Sequence, residues 1–189
     1  MESLSLFIRR ILKTIKKDTR KITTDGLSLS GRVILEATKK GTRELINGVL
    51  SPGEVVFRAE NHNMICNEGL LLVAGFAVDE SAVYDVGITY CEIGTNDTAP
   101  AAGDGSLTTY HGRKIVTSKS RTDYDNTYVT FFTAAQSTCF IKEAGMYGGS
   151  NAAAGQDTGL LFSHFLVSFD NSAGLYDVTI TYILTVGRV

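Results

Sequence analysis

Between Tyr176 and Gly187 the chain alternates without a break: Tyr176, Val178, Ile180, Tyr182, Leu184 and Val186 fall on one side, and Asp177, Thr179, Thr181, Ile183, Thr185 and Gly187 on the other. A period of two is the signature of a β-strand with one buried and one wetter face, and no helix can segregate these residues. The same rhythm recurs, less cleanly, over residues 86–93, 113–120, 127–133, 138–147 and 160–169, with Gly, Asp, Asn and Ser between the runs. Six short strands at this spacing predict a sandwich or barrel from Tyr84 onward. Frequent Gly (19 residues), scarce Pro (2) and Tyr and Phe without Trp fit strands joined by tight turns.

The front of the chain has a different period. Leu4, Ile8, Ile11 and Ile15 are spaced four, three and four apart and Ile22 follows one heptad later, so residues 1–26 read as an amphipathic helix with an a/d-type seam. Arg9, Arg10, Lys13, Lys16, Lys17, Arg20 and Lys21 occupy its other side, and Asp25-Gly26 ends it. So short a seam is marginal alone and needs an oligomer or a docking site to bury it. Residues 1–48 carry eleven Lys/Arg against five Asp/Glu, whereas residues 49–189 carry seven against fifteen. A basic arm on an acidic body leaves nucleic acid, an anionic membrane or an acidic neighbouring protein surface as its contacts.

Residues 27–60 are expected as a connecting arm, with a short strand at 32–37 or a helical turn at 42–50 left open, and a turn at Ser51-Pro52-Gly53 leading to a strand at 54–58. The apolar run 64–78, with Gly69 and Gly75 inside it, is long enough to favour a buried helix. The stretches 94–105 and 148–159, rich in Gly and Ala, are expected as surface loops. The resulting fold class is mainly β: an antiparallel, jelly-roll-like β-sandwich over residues 61–189, with an N-terminal helix and one short additional helix.

No pattern demands chemistry. Cys66, Cys91 and Cys139 are odd in number and widely spaced, so they read as reduced, buried thiols of a protein made in a cytoplasm. No secretory signal is apparent, and no run of 18 or more apolar residues is present to span a bilayer. His62, His111 and His164 are expected as ordinary loop or strand histidines, since no nucleophile elbow accompanies them. Asp123-Tyr124-Asp125-Asn126 opens like a calcium loop but lacks the later Gly and Glu, and is read as a solvated hairpin turn. Neither phosphate-binding glycine pattern occurs. Glu143 lies among apolar strand residues, where an inward carboxylate needs a partner, and Arg113 is the candidate for a structural ion pair. No catalytic residue, metal ligand or cofactor site is assigned.

The order of segments is similar to that of a broad group of tailed-bacteriophage virion proteins found among tail, fibre and particle-decoration components. The residues that carry this likeness are the run 67–76 (Asn-Glu-Gly-Leu-Leu-Leu-Val-Ala-Gly-Phe), Glu92-Ile93-Gly94-Thr95, the loop 98–107, Arg113, Tyr128 to Ala135, Ile141 to Tyr147 and the terminal strand. The resemblance implies a non-enzymatic virion protein that pairs with itself, with a trimer as the guess, and with other particle proteins. The N-terminal helix, with its seam Leu4, Ile8, Ile11 and Ile15, would anchor it. Station on a tail or fibre is set against capsid decoration. A glycan- or receptor-binding module is the reading from another class, and a hydrolase of cell-surface polymer has little behind it.

Overall fold

Two five-stranded sheets account for most of the chain, as described by a computed structural model for residues 26–47, 49–77 and 86–188. The amphipathic helix expected over residues 1–26, and with it the seam Leu4, Ile8, Ile11 and Ile15, lies outside the described residues apart from Gly26. Strands follow in the order β1 (Leu27–Lys39), β2 (Leu45–Ile46), β3 (Val49–Leu50), β4 (Val55–His62) and β5 (Met64–Ile65), then helix α1 (Asn67–Ala77). After it come β6 (Ile88–Gly94), β7 (Tyr110–Ile115), β8 (Ser118–Thr122), β9 (Asp125–Phe132), a 3-10 turn at Ala134–Gln136, β10 (Phe140–Gly148), β11 (Leu160–Asp170) and β12 (Tyr176–Arg188). Sheet one is ordered β4-β1-β12-β9-β8 and sheet two β5-β11-β10-β6-β7. Hairpins β6–β7, β8–β9 and β10–β11 each stay within one sheet, and the chain changes sheet between them.

The two sheets share one core. Val33 and Leu35 of β1, Phe132 of β9 and Val178, Ile180, Tyr182 and Leu184 of β12 meet Cys91 and Ile93 of β6, Ile141, Ala144 and Met146 of β10, and Phe162 and Phe165 of β11. The inward side of β12 is thus the apolar side that its alternation predicts. Tyr182 is its centre: it stacks on Phe165 across the sheets with centroids 6.2 Å apart and rings 6° from parallel, and meets Phe162 edge-on. Its hydroxyl accepts a hydrogen bond from Asn63 Nδ2 at 3.0 Å, so burial leaves the polar tip satisfied.

Residues 27–60 are not a connecting arm. β1 lies between β4 and β12 and supplies core residues, because Val33, Leu35 and Ala37 alternate inward in a run that the surrounding Arg and Thr residues obscure. The helical turn considered for 42–50 is a β2–β3 hairpin, with Asn47 at a positive φ of 51° in its turn. Residues 113–120 are likewise not one strand but the end of β7 and the start of β8, separated by the turn at Val116-Thr117. The helix expected within 64–78 is α1, which is buried along one side only: Gly69, Leu72 and Gly75 face inward while Leu70, Leu71 and Phe76 are exposed. Gly69 permits this seating, since a Cβ there would collide with the Phe162 carbonyl of β11. Asp123-Tyr124 forms the β8–β9 hairpin turn, with Asp123 at φ 51°.

Candidate functional site

The chemically distinctive region is the outer face of sheet two, where the strand registers line up one row across all five strands. Arg113 of β7 faces Glu92 of β6, Glu92 faces Gly145 of β10, Gly145 faces His164 of β11, and His164 faces Met64 of β5. Both partners of the Arg113–Glu92 ion pair are fully buried, 2.5 Å apart. Charges on an outer sheet face are ordinarily solvated, so something must cover them. The cover is the two loops between β6 and β7 and between β10 and β11.

Arg113 lies between the rings of Tyr90 and Tyr147, with its guanidinium carbon 4.6 and 4.5 Å from their centroids, a geometry in which the ring faces attract the cation. Its Nη2 donates to the Thr158 carbonyl at 2.6 Å, and Glu92 Oε1 accepts the Asp157 N–H at 3.1 Å. The pair therefore ends on backbone groups of the 149–159 loop. Thr158 closes that loop internally, accepting the Ala153 N–H at 3.0 Å and donating to the Gly155 carbonyl at 2.8 Å. Burial, followed by the neighbouring Glu92 charge, pushes the Tyr147 hydroxyl well above the usual phenol range. That hydroxyl stays protonated and accepts the Leu107 N–H at 3.2 Å.

The second group lies on the other side of Gly145. Glu143, also fully buried, accepts from the Thr109 N–H at 2.7 Å and the Thr108 N–H at 3.0 Å, and more weakly from Asn96 at 3.4 Å. His164 Nε2 is 3.0 Å from Glu143 Oε2, and His164 Nδ1 is 2.7 Å from Asp104 Oδ2. The His164 ring thus bridges Asp104 and Glu143, with a carboxylate oxygen at each of its nitrogens. Asp104 also accepts the Ala101 N–H at 2.8 Å. Desolvation is the largest influence on Asp104 and raises its carboxyl, but the Ala101 N–H and the His164 ring together hold it below the ordinary value. Leu107 fills the space over Gly145, where a Cβ would press on Leu107 and Leu161, so the glycine lets the loop down onto the sheet.

The expected Glu143–Arg113 pair is therefore not formed. Each residue has another buried partner: Arg113 forms its ion pair with Glu92, its direct cross-strand neighbour, and Glu143 is bonded to the His164 ring. Reading β7 as starting at Arg113 concealed its register with β6. Glu92 carried a signal in the sequence, a carboxylate between Cys91 and Ile93 in a strand interior, whereas Asp104 and His164 meet only through folding. His62 lies exposed on β4 and His111 half-buried on β7.

This arrangement holds a surface in place and is poorly suited to acid–base work. His164 is 1% exposed and both its nitrogens face carboxylates, so neither is free to take a proton from a nucleophile. All three thiols are buried. Burial, then the Asp104 charge, pushes the Cys66 thiol up to about 12, and burial, then Asp170, pushes Cys139 up to about 11. Cys91 is raised further by burial. Thiols held neutral are weak nucleophiles. Iodoacetamide at pH 8 is expected to label none of the three in the native protein and all three in denaturant; fast native labelling of any one would contradict the assignment. Folded thiols also keep protons that unfolded ones release, so stability should fall as pH rises from about 9 towards 11 or 12, which pH-dependent melting would read.

Among the described residues, no group of three or more His, Cys, Asp or Glu is placed to hold a metal, and no helix is long and apolar enough to cross a membrane. An open cleft of about 630 Å³ lies at the other flank, lined by Phe57, Ala59 and Asn61 of β4 with Phe140, Leu166 and Val167 of sheet two. No family model, curated protein or solved structure matches the chain.

Proposed function

We propose that the protein is a non-enzymatic structural component of a tailed-phage virion, made in the host cytoplasm. It would be homo-oligomeric, anchored through its N-terminal segment, and associated with the tail or fibre or else with the capsid. The observation that carries this reading is that the buried charges of sheet two end on backbone groups of two long loops. Such loops are fixed surfaces, which suits repeated contact between subunits better than substrate entry or release. The resemblance of the segment order to that of tailed-phage virion proteins supplies the setting. The jelly-roll-like reading rests on two five-stranded sheets between which the chain crosses repeatedly. Glycan or receptor binding is the second reading, favoured by Tyr124, which stands 74% exposed at the tip of the β8–β9 hairpin where a ring can stack on a sugar.

Quantitative mass spectrometry of purified particles is the direct test, and the protein is expected in many copies per particle. Removing residues 1–26 should leave a folded body that no longer joins the particle. Absence of the full chain from purified particles would overturn the virion reading, and normal incorporation of the shortened chain would remove the anchoring role.

A further inference from the structure

The sheets have four outer strands, and three of them are defended against pairing with another chain. β5 is two residues long; β8 is five residues and carries Lys119 and Arg121; β7 carries Lys114, whose Nζ reaches Gln136 Oε1 at 3.2 Å. Short edges and edge cations are the usual protections. β4 differs. It runs for eight residues, every one exposed or half-buried, and among the described residues no strand pairs with its outer side. Val55 and Val56 are 46% and 44% exposed.

The charges of β4 are self-complementary. Arg58 and Glu60 flank Ala59, so when two copies of β4 run antiparallel about a twofold axis at Ala59, Arg58 of each lies directly opposite Glu60 of the other. An isologous contact needs this property, because one patch must match itself. Within a single copy Arg58 Nη1 already reaches Glu36 Oε1 at 2.7 Å and Arg32 Nη1 reaches Glu60 Oε1 at 3.1 Å, and Arg58 and Glu60 remain about half exposed. Pairing would therefore extend two short ion pairs into a ladder of alternating sign across four strands. The irregularity in β4, where Thr38 faces Val55 and Ala37 faces Phe57 so that Val56 is extra, falls outside the segment Phe57 to Asn61 that would pair. On the inner side of that segment, Phe57, Ala59 and Asn61 line the open cleft, and the partner's copies of these residues would extend the same lining.

We infer that β4 is a homodimer interface, in which two copies join edge to edge about Ala59 and continue sheet one into ten strands. This rests on the homo-oligomeric reading above and gives that reading a surface.

The full chain carrying Ala59→Cys tests it. Directly opposed residues of an antiparallel pair lie within disulfide reach, so mild oxidation should give a covalent dimer. Arg58→Glu or Glu60→Arg alone sets like charges opposite each other twice per dimer, and each should weaken association about tenfold or more by sedimentation and abolish the cross-link. Mixing the Arg58→Glu and Glu60→Arg proteins should restore both, because each copy then meets opposite charge across the axis while its own contacts with Glu36 and Arg32 are the same as in the single variant alone. These side chains are too exposed for the changes to disturb the core, which circular dichroism would verify. If the wild type associates but Ala59→Cys does not cross-link, or the mixture of the two charge variants fails to restore association, the β4 interface is wrong and the oligomer stands. A wild type that stays monomeric at every concentration overturns both.

Discussion

Arg113→Met should lower the unfolding free energy by roughly 3–5 kcal/mol, the usual penalty for stranding one member of a buried ion pair. Glu92 would be left in a fully buried position without its cation, with the Asp157 N–H still donating to it. The loss has two further parts. The guanidinium no longer lies between Tyr90 and Tyr147, and the Thr158 carbonyl loses its donor. For a chain of this size each kcal/mol moves the melting temperature by about 2–4 °C, so a drop of about 10 °C is expected in calorimetry. Cleavage by a nonspecific protease should begin in the 149–159 loop. Adding Glu92→Leu to Arg113→Met should recover much of the loss, since an apolar pair in place of a buried ionic one is often neutral, and Arg113 Nε already lacks a hydrogen-bond partner. A single-variant loss below about 1 kcal/mol would mean that water reaches Glu92, and the sealed site would have to be abandoned.

The contrast between β12 and β1 shows what the sequence made legible. β12 announces itself because its two faces differ in chemistry along nearly its whole length, and its inward residues are those the alternation names. β1 is as long and central, yet its burial pattern is broken: Ile34 and Thr38 are buried on the side opposite Val33, Leu35 and Ala37. Arg43, itself 8% exposed, covers the Thr38 end of this side, since it folds over the outer face of sheet one to hold Glu36, the Pro52 carbonyl and Thr179. A strand covered on both faces loses the period-two signal that would reveal it. The site failed to show for a related reason. Sheet two is also covered on its outer face, by loops whose Gly- and Ala-rich composition reads as solvent-exposed, and pairing of distant charges depends on register, which single residues do not encode.

Glu143→Ala should be as disruptive as the loss of Arg113, by a different route. Glu143 carries no cation of fixed charge against it; it collects the Thr108 and Thr109 N–H groups, a weaker contact from Asn96, and the His164 ring. Each buried donor left without an acceptor costs about 1–3 kcal/mol, and a histidine left with Asp104 alone adds to it, so a loss of roughly 3–5 kcal/mol is expected. The damage should be local first. Hydrogen exchange at the Thr108 and Thr109 amides should speed up well before the core amides of β12 respond, because the 95–109 loop is held by this carboxylate while β12 is held by the apolar core. Asp104→Ala removes a carboxylate that is 29% exposed, so water can replace it and the loss should be clearly smaller. Glu143→Leu combined with His164→Leu should cost less than the sum of the two single losses, because the second removal takes away the partner that the first one strands. Equal effects of Glu143→Ala and Asp104→Ala would place the hold on the loop elsewhere, and the rigid outer surface from which the assembly role is argued would lose its main support.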